Sequence, residues 1–256
     1  MFTNREIAEG VSMKKITRSK DEEDEIKRIL ASHTTYDAFT KHQKHAYRVA
    51  ELYNVKVCPY CNINYTYTVY KDNGFVCRPD FDHFELRNPQ NELQIDNLIP
   101  SCQQCNSRVK HDKSFSKDTH IHPFFDDFDS LAEFLIDIEK VGMIHLKENF
   151  EILCQAREST FSPEKEKVEN SIHDLCIKQR YSFHKDVVST IIKHGYLYNK
   201  RRSEEIGELV APNHSLIYTI YSLLFPDIDC DINQTSLGKL KRDISRKIKE
   251  YVSKKG

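Results

Sequence analysis

An α+β fold is predicted, with a small metal-stapled module inside a mostly α-helical chain, and three observations predict it. Two Cys-x-x-Cys pairs, Cys58/Cys61 and Cys102/Cys105, stand within one stretch running from Val57 to Lys113. Between them, residues 62–70 alternate in polarity and are rich in aromatic and β-branched side chains, as a strand requires. On either side of that stretch, apolar residues recur at helical spacing. The boundaries implied are an N-terminal helical segment over 1–56, the stapled module over 57–125 and a mostly helical region over 126–256.

The cysteines carry the first chemical inference. Thiolates two residues apart face one ion across a tight knuckle, and two knuckles complete a closed tetrahedral Cys₄ zinc site. Such a site has no open position, so its zinc is expected to be structural. Thiol pairs of this kind point to a reducing, cytoplasmic setting rather than to disulfides. The other four cysteines, Cys77, Cys154, Cys176 and Cys230, lack metal-type spacing. A redox role would need one pair on a thioredoxin-like turn, and two pairs fit metal better. No apolar run is long enough to span a membrane. The 256 residues carry a formal net charge of -1, which excludes a general polycation, so nucleic-acid binding would need a local basic patch.

The elements follow in chain order. Ser19 caps a helix beginning DEEDEIKRIL, whose first-turn acids complement the dipole. A second helix is expected from Tyr36 to Asn54, with Phe39, Ala46, Val49, Ala50 and Tyr53 inward and Lys41, His42, Lys44, His45 and Arg48 on a solvated or phosphate-facing side. A strand over residues 62–70 turns at Lys71-Asp72-Asn73-Gly74 and returns as Phe75-Val76-Cys77 towards Asp82-His83. Ile95 to Pro100 reads as a short strand, and Ser101 as the cap of a helix from Cys102 to about Asp112. His120-x-His122 before Pro123 is either a turn or a ligand pair. Leu131, Phe134, Leu135 and Ile138 fit a helix, and residues 150–153 a strand. One long or two consecutive helices are expected through Val168, Ile172, Leu175, Phe183, Val187 and Ile191, capped by Ser162, begun by Pro163 and ended or kinked at Gly195. Two more are expected over 214–225 and 236–253, the last with Leu237, Leu240, Ile244 and Ile248 inward and a basic outer face that includes Lys239 and Arg242.

Phosphodiester hydrolysis needs a base, a cation on the phosphate and a stabilised leaving oxygen. His83 suits the base, because a neutral imidazole titrates near neutral pH. Asp82 is a hard oxygen ligand for Mg²⁺ or Mn²⁺, and the Asn106 amide oxygen after the second knuckle supplies another. Asn97 is placed to bond backbone and hold the loop that presents His83. Arg108, Lys110 and Lys113 are placed to bind phosphates. A regular strand would point Asp82 and His83 to opposite faces, so a shared site requires the strand to end or twist there.

The conjunction of Cys-x-x-Cys, Asp-His and Asn-Leu-Ile-Pro-Ser-Cys-x-x-Cys-Asn resembles the HNH endonucleases, which have a ββα-metal fold on a zinc-stapled frame. The resemblance covers Cys58 to about Lys113. It implies that His83 is the general base, that Asp82 and Asn106 hold one catalytic divalent ion, that Asn97 orients the base and that DNA is the substrate. His111 is a rival for the place of Asn106, several residues late. The flanking CPYC and HPFFDDFD segments are similar to HNH proteins of bacterial anti-phage defence loci, including Septu-type systems, which implies an ATPase partner subunit. The competing expectation is a zinc-stabilised nucleic-acid-binding or adaptor module without catalysis.

Overall fold

The computed structural model describes residues 18–72, 74–136, 150–198, 201–202, 205–206, 209 and 230–255. The architecture is α+β: helices and three two-stranded antiparallel sheets around one continuous apolar core that runs from Ile26 to Ile248. None of the described helices is long and apolar enough to cross a membrane. The helix expected over 214–225 lies outside the described residues.

Helix α1 (Lys20–Ala31) opens with a capping box: Ser19 Oγ accepts from the Glu22 amide, and the Glu22 carboxylate accepts from the Ser19 amide at 2.8 Å. Ile26 and Leu30, one turn apart, face the core. The helix expected over Tyr36–Asn54 is two helices, α2 (Tyr36–Lys41) and α3 (Gln43–Tyr53). The chain turns at His42 (φ -80°, ψ 77°), whose Nδ1 accepts from the His45 amide and so caps α3. Asn54, in the left-handed region at φ 48°, closes α3.

The strand expected from Asn62 shrinks to β1 (Val69–Lys71), paired with β2 (Gly74–Cys77). The first knuckle captures the intervening backbone: the Cys58 amide donates to Asn64 O and the Thr66 amide to Lys56 O, each at 2.9 Å. Strand β3 (Asp80–His83) pairs antiparallel with β4 (Leu98–Ser101), setting Asp82 opposite Ile99 and His83 opposite Leu98. Ser101 lies in the strand, fully buried, rather than capping a helix. The chain then coils as a π-helix, Cys105–Lys110.

Residues 128–135 form a single short helix, α4 (Phe128–Leu131), followed by β5 (Ala132–Leu135) paired with β6 (Leu153–Ala156). The expected helix gives way because Phe134 is needed in the sheet, where its ring meets that of Tyr181 at 4.3 Å and its amide donates to Asp243 Oδ2. The long helical run breaks at Cys176 (φ 52°) into α5 (Glu164–Asp174) and α6 (Ile177–Tyr181), followed by α7 (Lys185–Leu197). Pro163 sits one residue before α5, and neither Pro163 nor Ser162 caps it with a side chain. Phe183, expected inward, is 84% exposed, and α7 passes through Gly195 to Leu197.

Helix α8 (Gly238–Lys255) buries Leu240, Ile244 and Ile248 as its pattern requires. Its N-terminus needs Gly238, since a Cβ there would stand 2.9 Å from Ile232 Cα. Two residues expected on its basic outer face are buried instead. Lys239 Nζ pairs with Asp129 Oδ1 and Asp243 Oδ2, each at 2.9 Å, and Arg242 pairs with Asp129. Burying these cations is favourable only with their carboxylates in place. Replacing Asp129 by alanine should therefore cost about 3–5 kcal/mol, because two buried cations lose a shared partner. Urea denaturation of Asp129→Ala measures this, and a loss below about 1 kcal/mol would show the network to be solvated.

Candidate functional site

Two knuckles from distant parts of the chain meet inside the molecule. The Sγ atoms of Cys58, Cys61, Cys102 and Cys105 all lie within 4.8 Å of one another, and all four side chains are buried. Cys61 and Cys102 Sγ are 4.0 Å apart, and no cysteine is in a disulfide. A tetrahedral zinc ion with Zn–S bonds of about 2.3 Å sets its sulfurs about 3.8 Å apart, so the cluster fits such an ion. Polar groups already aim at the sulfurs. The Ile63 amide donates to Cys61, Asn64 Nδ2 to Cys102 at 3.3 Å, and Arg180 Nη1 to Cys105 at 3.2 Å. Hydrogen bonds from Cys105, Cys58 and Cys61, with the Asn64 amide, push the Cys102 thiol below its ordinary pKa. Four protein ligands leave no open position, so the chemistry this centre offers is structural.

The β3–β4 hairpin is the next layer. Asp80 and Asp82 lie on one face of β3 and His83 on the other, as strand geometry dictates. Asp82 is 4% exposed; it accepts from the Tyr60 hydroxyl at 2.6 Å and pairs with Lys110 Nζ at 3.3 Å. Burial pushes its carboxyl up to about 6, against the opposing pull of Lys110 and Tyr60. Lys110, expected to bind phosphate, is 1% exposed and also donates to the His83 carbonyl at 2.7 Å. The ammonium is drawn inward because the buried Asp82 carboxylate would otherwise have no counter-charge. Asn106, expected to share an ion with Asp82, reaches Asp80 instead: its Nδ2 donates to Asp80 Oδ2 at 3.3 Å.

His83 is half-buried, with Tyr36 edge-on at 4.6 Å between ring centres. Its Nε2 lies 3.0 Å from the Glu92 carbonyl. A carbonyl only accepts, so Nε2 carries the proton and Nδ1 keeps its lone pair. Burial lowers the pKa of the imidazole and keeps it neutral. Asn97 ties the ends of the intervening loop together. Its Oδ1 accepts from the Glu85 amide at 2.7 Å, and its Nδ2 donates to the Glu85 and Asn91 carbonyls. That clasp holds the loop whose Glu92 carbonyl orients His83. Arg87 completes the wall, bonding Glu92 and Asp37 and lying over the Tyr36 ring.

The remaining expected residues scatter. Arg108 is exposed on the π-helix. Lys113 donates to the Asp174 carbonyl at 2.7 Å, which ties it to the end of α5. His111 is exposed, ends the π-helix at φ 46° and bonds Asp112. His120 and His122 are buried, and neither joins a metal-ligand group among the described residues. His120 stacks on Phe115 and bonds Asp174. Backbone partners occupy both nitrogens of His122, and burial takes its pKa down to about 4.

Several site residues were missed from sequence. Tyr60 lay in plain view inside the first knuckle, and Asp80 stands one pleat from Asp82. Tyr36, Arg87 and Glu92 gave no local signal, because only the tertiary fold brings them to His83. No protein-family model, no curated protein and no solved structure matches the chain.

The buried carboxyl gives a direct check. In the intact protein Asp82 should titrate near pH 6 by ¹³C NMR of its carboxyl carbon. In Lys110→Met the midpoint should rise further, because the ammonium that favours the carboxylate is gone. A midpoint near the ordinary value of about 4 would contradict the burial.

Proposed function

We propose that the chain is a divalent-ion-dependent endonuclease that hydrolyses DNA phosphodiester bonds, with His83 as its general base. The observation that carries this reading is the imidazole itself: neutral, fixed in one tautomer by the Glu92 carbonyl, and left with a lone pair on Nδ1. A general base needs that state at neutral pH and a rigid support, which the Asn97 clasp supplies.

The order of elements supports the reading: strand, loop, strand and helix follow one another, with cysteines clamping the helix end. For the cation, the half-buried pair Asp80 and Asn106 takes the place first expected of Asp82 and Asn106. Mg²⁺ or Mn²⁺ keeps most of its waters and needs only one or two protein oxygens, so this pair suffices. When bound, such an ion would neutralise charge on the phosphate and on the leaving oxygen. His83 Nδ1 would take the proton of the attacking water, and Arg108 would hold a phosphate. Tyr65 and Tyr67, exposed and stacked with ring centres 4.9 Å apart, offer a face on which bases can lie.

The second reading, a zinc-stabilised nucleic-acid-binding or adaptor module, is favoured by two observations: the Asp82 carboxylate is committed to Lys110 and Tyr60, and Asp80 with its Asn106 partner lies on the face of β3 opposite His83. Nicking of supercoiled plasmid with and without Mg²⁺ or Mn²⁺ separates the two. The nuclease reading expects cleavage only with the ion, and a loss of roughly 10²–10⁴-fold in His83→Ala. Asp80→Asn should also lose activity while keeping the fold and the ion of the four-cysteine centre. Undiminished cutting by His83→Ala would overturn the assignment, and DNA binding without ion-dependent nicking would favour the second reading.

A further inference from the structure

A second cluster of metal-ligating side chains lies away from the hairpin and the cysteines, where the first three helices meet. His33 follows α1, His42 occupies the break between α2 and α3, and His45 lies in the first turn of α3. One nitrogen from each lies within 4.8 Å of the other two. His33 Nε2 is 2.8 Å from His45 Nδ1, and the His42 and His45 ring centres are 3.8 Å apart. We propose that these three imidazoles bind one borderline divalent transition-metal ion of the Zn²⁺, Co²⁺, Ni²⁺ or Cu²⁺ class, separately from the four-cysteine centre and independently of the nuclease reading.

The donor chemistry sets the class. Imidazole nitrogens suit these ions, whereas Mg²⁺ and Ca²⁺ take oxygen ligands. The fold arranges the donors in advance. His42 and His45, three apart in sequence, are neighbours on one side of the chain, and His42 stands at the break between α2 and α3, where the sequence has neither Pro nor Gly. His33 arrives from another element, packed edge-on against Phe39, which is fully buried. Contact across two elements is what separates a built cluster from a run of surface histidines.

The separations are those of an ion-ready group. Tetrahedral zinc with Zn–N bonds of about 2.0–2.1 Å sets its nitrogens about 3.3 Å apart. The His33–His45 pair need open only by about half an ångström from its hydrogen-bonded separation. The hydrogen bond between them requires one ring to present N–H to the other's lone pair. In the metal-bound state both present lone pairs, and the donor's proton moves to its other nitrogen through solvent. Three protein ligands leave a fourth position for water or an exchangeable ligand, and His42 is exposed, so an ion can enter. The trio and His83 are separated by the rings of Phe39 and Tyr36, which makes two sites of them.

Equilibrium dialysis of the tag-free full chain against buffered micromolar free Zn²⁺, with bound metal counted by mass spectrometry, tests the proposal. The natural protein should hold two zinc ions per chain. His33→Gln and His42→Asn should each hold one, their second site weakened on the order of tenfold or more. Asparagine is a good helix cap, so His42→Asn keeps the α3 start while removing the imidazole. Unchanged circular dichroism and a retained first zinc establish that each variant is folded. One zinc per natural chain, or a second zinc bound equally well by both variants, would overturn the proposal.

Discussion

The frame beneath the β3–β4 hairpin is referenced to four sulfurs. Cys61 and Cys102 are 41 residues apart in sequence, yet their sulfurs nearly touch. That junction fixes three other parts of the molecule. Tyr60, between the cysteines of the first knuckle, reaches Asp82 in β3. Cys105 starts the π-helix, whose last residue, Lys110, returns to Asp82 and to the His83 carbonyl. Asn62, just past the first knuckle, bonds the Ile232 carbonyl and the Lys239 amide, and its own carbonyl accepts from Leu237. The hairpin, the π-helix and the start of α8 therefore share one origin. Arg180 and Tyr181 add α6 to the same centre through the Cys105 sulfur and the Cys61 carbonyl.

Paired charges decide which side of each element faces inward. Buried carboxylates at Asp82, Asp129 and Asp243 draw Lys110, Lys239 and Arg242 out of solvent, since an ion left unpaired in the core costs more than the ordering of a long side chain. The consequence at the hairpin is a sorting. Asp82 and Lys110 neutralise one another inside, and the groups left near solvent are His83, Asp80, Asn106 and Arg108. The carboxylate next to His83 in sequence thus becomes a support, while the one two residues earlier meets Asn106.

Local signals carried the parts of this arrangement that depend on neighbours in sequence. The Cys-x-x-Cys spacing identified the four sulfurs that meet, Ser19 and the acids after it marked the start of α1, and the 3.6-residue period of α8 named its buried leucine and isoleucines. What was not legible depends on partners elsewhere. Lys110, Lys239 and Arg242 look like solvated cations until the carboxylates they meet are known. The alternation over residues 62–70 speaks for a longer strand, but backbone bonds to Lys56 and Cys58, with the Thr66 hydroxyl on the Val55 carbonyl, take up its first half. The helix through His42 is periodic enough to read as one element, and the contact of His45 with His33 is one that no local pattern encodes. Asp82 adjoins His83 in sequence, whereas the pleat of the strand separates adjacent residues and groups alternate ones, so it is Asp80 that meets Asn106.

The central claim is that four thiolates grip one ion and that the hairpin is built upon it. Zinc K-edge X-ray absorption, on protein in which the histidine trio has been broken by His33→Gln and His42→Asn, measures that centre alone. The account predicts one zinc per chain with a shell of four sulfurs at about 2.3 Å. A shell dominated by nitrogen or oxygen, or a folded protein that holds no metal, would contradict it.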